Sequence, residues 1–365
     1  MLEKKIRLEH HYYKELVDDE GEWLKIKNEY PQFTEVERRS LLCKPSGFDE
    51  NEVYAVLARN GDKLVGGQIM FTTRVKLNND VVVAQTGTYL YSLEEYQKQN
   101  VGSFVFFDSI RLLKSQNGLF CGISQQALGL YKSSKFNVFE YPRLIFLRKS
   151  RSVVQHFFKS NSYILEPIVL LVDLFLKLHR FILQFFYGLG YYTIEESKDV
   201  PDEIDEIVRE DKHPYSELHD KKWFEWNLNC GFREDDKIVK KLFLIKKAGE
   251  LEAFFATKQE FFPKASARGF KNVNLGTVME WGISHQSRLT EVELNILATR
   301  VFTKDIDAIQ IASSNYDIVK KLKRLLFVQI GNANMAVKFK DPKFSDIGDI
   351  NKWRLRIGGG ETFIG

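Results

Sequence analysis

Cysteine is scarce in this chain. Its 365 residues include three, Cys43, Cys121 and Cys230, which are far apart, odd in number and without a Cys-x-x-Cys pair. That excludes a disulfide framework and a zinc knuckle and suits a reducing compartment. An excess of one charge is also missing. Lys and Arg number 53 against 49 Asp and Glu, for a formal net charge of +4, and the two signs are interspersed, so no nucleic-acid partner is implied. The opening MLEKKIRLEHHYYKEL is charged where a signal peptide needs an apolar core, and a cytoplasmic location is expected. No Gly-x-Ser-x-Gly elbow supports a serine nucleophile. The adjacent pair His10 and His11 has no acidic partner at metal-ligand spacing, so no metal is expected.

What is present is ample core material. Hydrophobic residues make up 44% and charged residues 28%, and the length exceeds what one core of ordinary size accommodates. Two domains are expected, with the boundary within 150–200. After a short strand, residues 1–50 carry helical spacing at Tyr12, Leu16, Trp23, Ile26 and Tyr30. Three strand-like runs across 53–92 are broken by Asn60-Gly61-Asp62 and Asn78-Asn79-Asp80, which are hairpin signals, and an antiparallel meander is predicted. A helix over about 102–115, a short strand at 119–124, a helix over 125–134 and a strand over 136–150 follow. The last third repeats that order. Strands at 237–262 turn at Ala248-Gly249, and a third lies at 274–284. A helix then opens at Thr290 with Glu293 three residues on, a capping-box pattern. A strand at 308–314, a helix over 316–327 and a strand at 334–340 close the series. Repetition of a whole strand-and-helix order points to a duplicated domain rather than a solenoid.

Between the two halves, residues 166–190 (EPIVLLVDLFLKLHRFILQFFYGLG) are apolar nearly all round a helix. Asp173, Lys177, His179 and Arg180 interrupt them before the ~20 apolar residues that a membrane span needs. A span, an interfacial helix and a buried connector between domains are the three readings, and the connector is expected. Residues 193–222 read as acidic, polar and helical in part.

The chain is organised around residues 81–113, where a β-branched strand passes through a polar loop into an apolar helix opening near Val101. Such an entry leaves the first helical N–H groups unpaired, with the positive end of the helix dipole behind them, which makes an anion site. The residues at that opening are Gln97-Lys98-Gln99-Asn100-Val101-Gly102-Ser103. They resemble the phosphate-binding loop of the GNAT acyl-CoA N-acyltransferase superfamily, Arg/Gln-x-x-Gly-x-Gly/Ala. Gln97 and Gly102 match it, and Asn100 stands where the first glycine is usual. The run Leu130 to Phe136 resembles the superfamily's tyrosine-bearing helix, with Tyr131 at the general-acid position and Lys135 in place of the glycine before Phe136. The resemblance covers roughly residues 1–148, and a second copy covers roughly 200–345.

The resemblance implies an α/β (α+β) fold of two GNAT-like mixed, mostly antiparallel sheets flanked by helices. It places an acyl-CoA-binding domain at 1–150, an apolar helical connector at 151–200 and a degenerate GNAT-like domain at 201–365. It implies coenzyme A, carrying an acetyl group, as co-substrate, with the pyrophosphate held by the loop from Gln97 to Ser103. It also implies pantetheine amides paired with the main chain of Leu90, Tyr91 and Ser92, and Tyr131 protonating the departing thiolate. The acceptor is a small-molecule or peptide amine. A general base is not evident, since residues 81–92 carry no carboxylate and Glu94 and Glu95 read as solvated loop acids. In the second copy the equivalent loop, residues 285–292, has no glycine, and Leu322 stands five residues before Phe327. That copy is expected to hold no coenzyme A and to shape an acceptor cleft or support the fold. Trp223, Phe224, Trp226 and Phe232 read as core, with cleft lining as the alternative, and the basic face Lys320, Lys321, Lys323 and Arg324 as solvated. Two other functions remain open: a non-catalytic tandem GNAT-like scaffold, and a two-domain aminoacyl transferase of the FemAB-like, peptidoglycan type.

Overall fold

The computed structural model describes residues 6–29, 51–113, 117–151, 166–187, 191–229, 238–262, 272–341 and 344–359. The first half runs β1 (Ile6–Tyr12), α1 (Tyr13–Asp18), α2 (Glu20–Glu29), β2 (Val53–Asn60), β3 (Lys63–Leu77), β4 (Asp80–Ser92), α3 (Glu94–Gln97), α4 (Val101–Arg111), β5 (Gly118–Cys121), α5 (Leu128–Ser133) and β6 (Asn137–Leu147). After α6 (Glu166–Phe186) come β7 (Thr193–Ser197), α7 (Glu203–Arg209), β8 (Tyr215–Glu217) and α8 (Lys221–Asn229). The order of β2 to β6 then recurs as β9 (Val239–Lys247), β10 (Glu250–Phe262), β11 (Val273–Ile283), α9 (Glu291–Ala298), β12 (Ala308–Ala312), α10 (Tyr316–Arg324) and β13 (Val328–Lys338).

The hairpins form where turn chemistry places them. Ala248 and Gly249 both take positive φ, +51° and +93°, the combination that suits a tight turn between right-twisted strands. Asn78 does the same at +57° between β3 and β4. A glycine is required at Gly66, where a Cβ would lie 2.8 Å from the Tyr91 carbonyl and 2.9 Å from Val101, so its absence lets α4 settle onto the strands.

Among the described residues all the strands join one mixed sheet of thirteen, in the order β1-β2-β3-β4-β5-β13-β6-β12-β11-β10-β9-β7, with β8 beside β3. The mixed, mostly antiparallel, helix-flanked architecture expected from the sequence is present. The two expected sheets are continuous because β13, the last strand of the second series, inserts between β5 and β6 of the first. Side-chain alternation then divides the core into two layers. Met335 and Val337 of β13 pack with Trp223, Phe224 and Ile204 on one face. Ala336 packs with Phe106 of α4 and Tyr131 of α5 on the other.

Several expectations are corrected. The helix predicted over 102–115 stops at Arg111, and residues 193–222 contribute the short strands β7 and β8 as well as helices. Trp223, Phe224 and Trp226 are buried core, as expected, and Phe232 lies outside the described residues. The largest correction concerns 166–190. A buried connector was expected, but on α6 the buried residues are Val169 and Leu183, while Leu170, Leu171, Leu174, Phe181, Phe185 and Phe186 are exposed. No helix among the described residues is long and apolar enough to cross a membrane.

Candidate active site

β4 and β5 run parallel but pair at a single point, Gln85 with Gly118, and then diverge. Past that point no strand among the described residues pairs with β4 on its β5 side. A bulge sharpens the opening, since Tyr89 and Leu90 together face Gln68 of β3, and Tyr89 takes φ +51°. The gap is a cleft of about 560 Å³ between the ends of β4 and β5, the start of α4 and the face of α5. Of the residues predicted to bind coenzyme A, Leu90, Tyr91, Ser92, Gln97, Asn100, Gly102 and Ser103 line it, and so does Tyr131. Three do not. Lys98 and Gln99 point into solvent, and Val101 is fully buried against Val53, Val65 and Val105.

The α4 N-terminus is open in the sense the anion site needs. The first helical bond runs from Phe104 N–H to the Asn100 carbonyl at 3.0 Å, which leaves the N–H groups of Val101, Gly102 and Ser103 without a partner in the helix. The Asn100 side chain makes no cap. Asn100 itself is left-handed, at φ +59°, so asparagine supplies the backbone shape that glycine usually provides at this point. Lys135 behaves likewise at +61°, closing α5 with a bond from Phe136 N–H to the Tyr131 carbonyl at 3.1 Å. Both departures from the superfamily pattern therefore preserve the chain path.

Tyr131 is 4% exposed, with its ring centroid 4.8 Å from that of Phe106, 5.1 Å from Phe120 and 5.5 Å from Phe136. The aromatic cage fixes the ring while the residue still borders the cleft. Gln68 also borders it and is 1% exposed, and its Oε1 has no hydrogen-bond partner among the described residues. A buried carbonyl oxygen without a donor is a place where a bound group can supply one. Glu95 pairs with Lys63 on the surface, as a solvated loop acid would. His10 is engaged with Asp108, and no cluster of three or more metal-ligating side chains occurs among the described residues.

The second series shows the same plan closed. Leu322 N-terminal to Phe327 repeats the turn of α5, with Leu326 at φ +62° and Phe327 N–H bonded to the Leu322 carbonyl at 3.1 Å, but Leu322 has no phenol. The N-terminus of α9 is capped by its own side chains, with Thr290 accepting from Glu293 N–H at 3.2 Å and Glu293 accepting from Thr290 N–H at 2.8 Å. The gap between β11 and β12 is filled by residues 353–359. Gly358 N–H donates to the Met279 carbonyl at 2.9 Å, and Ser314 N–H to the Leu355 carbonyl at 3.2 Å. A Cβ at Gly358 would lie 2.6 Å from the Met279 oxygen, so this approach also depends on glycine.

The inserted segment is held by a buried ionic cluster that the sequence did not disclose. Arg356 pairs with Glu280, which also pairs with His219, and His219 Nε2 lies 3.0 Å from Glu217. Glu217 accepts from Thr73 Oγ1 at 2.6 Å, and Arg354 pairs with Asp211 at 2.9 Å. Burial disfavours charge on His219, but Glu280 and then Glu217 outweigh it and raise its pKa above the usual 6.5. Burial likewise opposes ionisation of Glu280, and Arg356 overrides it, holding the carboxyl well below its usual range. The only local signal was Glu217 two residues before His219. Their partners at 280 and 356 are remote in sequence.

A pH dependence follows. Because the folded-state pKa of His219 is raised, its contribution to stability is complete below about 6.5, the unfolded-chain value, and is lost as pH rises through the folded-state value. Denaturant midpoints measured from pH 6 to pH 9 should fall more steeply for the native chain than for His219→Gln.

No protein-family model matches the sequence, and no curated protein matches it. Solved structures do. N-myristoyltransferase of Saccharomyces cerevisiae, with myristoyl-CoA bound, superposes over 92% of this chain and 78% of its own, at TM-score 0.56 and 12% identity. A second structure of that enzyme with myristoyl-CoA covers 92% and 83%, at 0.56 and 13% identity. A GCN5-related N-acetyltransferase from Anabaena variabilis covers 92% and 73%, at 0.51 and 9% identity. At these identities the likeness is one of fold alone, to an N-myristoyltransferase and to a GCN5-related N-acetyltransferase.

Proposed function

We propose that the chain is an acyl-CoA-dependent N-acyltransferase that uses acetyl-CoA as donor and a small-molecule or peptide amine as acceptor. The observation that carries this reading is the uncapped start of α4, which opens onto the same cleft as Tyr131. The N–H groups of Val101, Gly102 and Ser103 offer the pyrophosphate a cradle that needs no cation. The main chain of Leu90, Tyr91 and Ser92, at the free side of β4, is suited to pair with pantetheine amides. Neighbours of this fold include enzymes solved with an acyl-CoA, which agrees with the reading.

The chemistry balances with the residues at hand. A neutral amine attacks the thioester carbonyl, the C–N bond forms and the C–S bond breaks. The thiolate takes the Tyr131 phenol proton, and the proton given up by the amine nitrogen restores the phenol. None of the described residues lining the cleft is a carboxylate, so this circuit needs no separate base. Gln68 Oε1 is placed to accept a hydrogen bond from the bound donor or amine. A buried polar floor of this kind favours a short acyl group over a long apolar one. In this reading residues 1–150 bind acyl-CoA, 151–200 connect, and 201–365 form a GNAT-like copy whose slot is occupied by its own chain.

The test is release of coenzyme A thiol from acetyl-CoA and from myristoyl-CoA, with a panel of amines. Amine-dependent release that is faster with acetyl-CoA is expected. No release with any pair from folded protein would leave a non-catalytic scaffold.

A further inference from the structure

We propose that α6 is an interfacial anchor that lays this protein on an anionic lipid surface. The helix has 21 residues, a length of roughly 31 Å at 1.5 Å per residue. Val169 and Leu183 face the protein core, whereas Leu170, Leu171, Leu174, Phe181, Phe185 and Phe186 are each 64–76% exposed, and Ile168, Phe175, Leu178 and Ile182 are more than a third exposed. An apolar strip of this length, carried by a single helix, is far beyond the scattered exposed residues of ordinary surfaces. Tyr191, just past its C-terminal end, is 77% exposed.

The charges beside the strip identify its occupant. Both acids of α6 are engaged by groups of this chain. Asp173 accepts from the Ser150 N–H at 2.6 Å, and Glu166 pairs with Arg151 at 2.8 Å. Of the cations, Lys177 has no ion-pair partner among the described residues and stands exposed at the edge of the apolar strip, whereas half-buried Arg180 lies near Arg148 on the protein side of the helix. An unpaired cation bordering a Leu- and Phe-rich face matches a plane of acyl chains beneath phosphate headgroups, with the long Lys177 stem reaching along the boundary. The helix lies on such a surface and does not cross it.

The experiment is co-sedimentation of the full chain with phosphatidylcholine vesicles containing phosphatidylserine, and with phosphatidylcholine alone. The native chain is expected to sediment with the anionic vesicles and at least tenfold less with neutral ones, and raised salt should weaken the binding. The double variant Leu174→Glu, Phe181→Glu, whose side chains are already exposed, should keep the native melting temperature and lose at least tenfold in vesicle binding. Lys177→Glu should abolish the preference for anionic vesicles. Native protein that stays in the supernatant, or a double variant that binds as the native chain does, overturns the proposal. So does a dimer in sedimentation velocity that the double variant converts to monomer, since the strip would then be covered by a second copy.

Discussion

Gly102→Leu is expected to abolish the stabilisation of this protein by acetyl-CoA without lowering its melting temperature in the absence of ligand. The position lines the cleft and lies in the first turn of α4, where its φ is not positive, so leucine fits the backbone and improves helix propensity. Space on the protein side is adequate, because a Cβ would sit 3.5 Å from Ser92 Oγ, an ordinary contact. What leucine changes is the approach to the N–H groups of Val101, Gly102 and Ser103, which its side chain covers. For the native chain, ligand at a hundredfold excess over Kd stabilises by about 2.7 kcal/mol, a rise of a few degrees in Tm. The variant should show no rise at the same concentration. A variant with the native shift would remove the helix start from the binding site.

Tyr131→Phe is expected to lower kcat by roughly 10²- to 10⁴-fold, the range for loss of a general acid, or about 3–5 kcal/mol in the barrier. The substitution removes one oxygen and leaves the ring among Phe106, Phe120 and Phe136, so Tm and the affinity for acyl-CoA should stay near native values. Tyr131→Ala would be a poor test. Emptying that cage costs about 3–5 kcal/mol of stability, and lost activity would then report lost packing. A fall in kcat that grows as the leaving thiol is made more basic would place the phenol at the sulfur.

Much of this site was legible in the sequence, because the signals were local. The meander turns at Asn78 and Ala248-Gly249 carry their own backbone preferences, and the Thr290–Glu293 box marks a helix start from four residues. Asn100 could be read as a surrogate glycine because asparagine tolerates positive φ. Lys135 and Leu326 gave no such hint. They hold left-handed turns against their own preference, at roughly 1–2 kcal/mol each, because the Tyr131 to Phe136 and Leu322 to Phe327 turns are fixed by packing. The features that escaped were set by remote contacts. Insertion of β13 between β5 and β6 depends on register across some two hundred residues, and nothing within β13 announces it. The apolar run at 166–186 suggested burial, because hydrophobicity states what a helix avoids and not which surface covers it. The glycine run at the end of the sequence carried no visible chemistry, yet Gly358 is what allows residues 353–359 to close the second slot.

The central claim is that main-chain N–H groups at the start of α4 hold the pyrophosphate of coenzyme A, and amide NMR of the labelled protein during titration tests it most directly. The account predicts that the Val101, Gly102 and Ser103 amide signals move downfield together and saturate with the melting-temperature shift, while those of Glu291 to Glu293 at the capped start of α9 stay in place. Saturable binding that leaves the three α4 amides unmoved would contradict it.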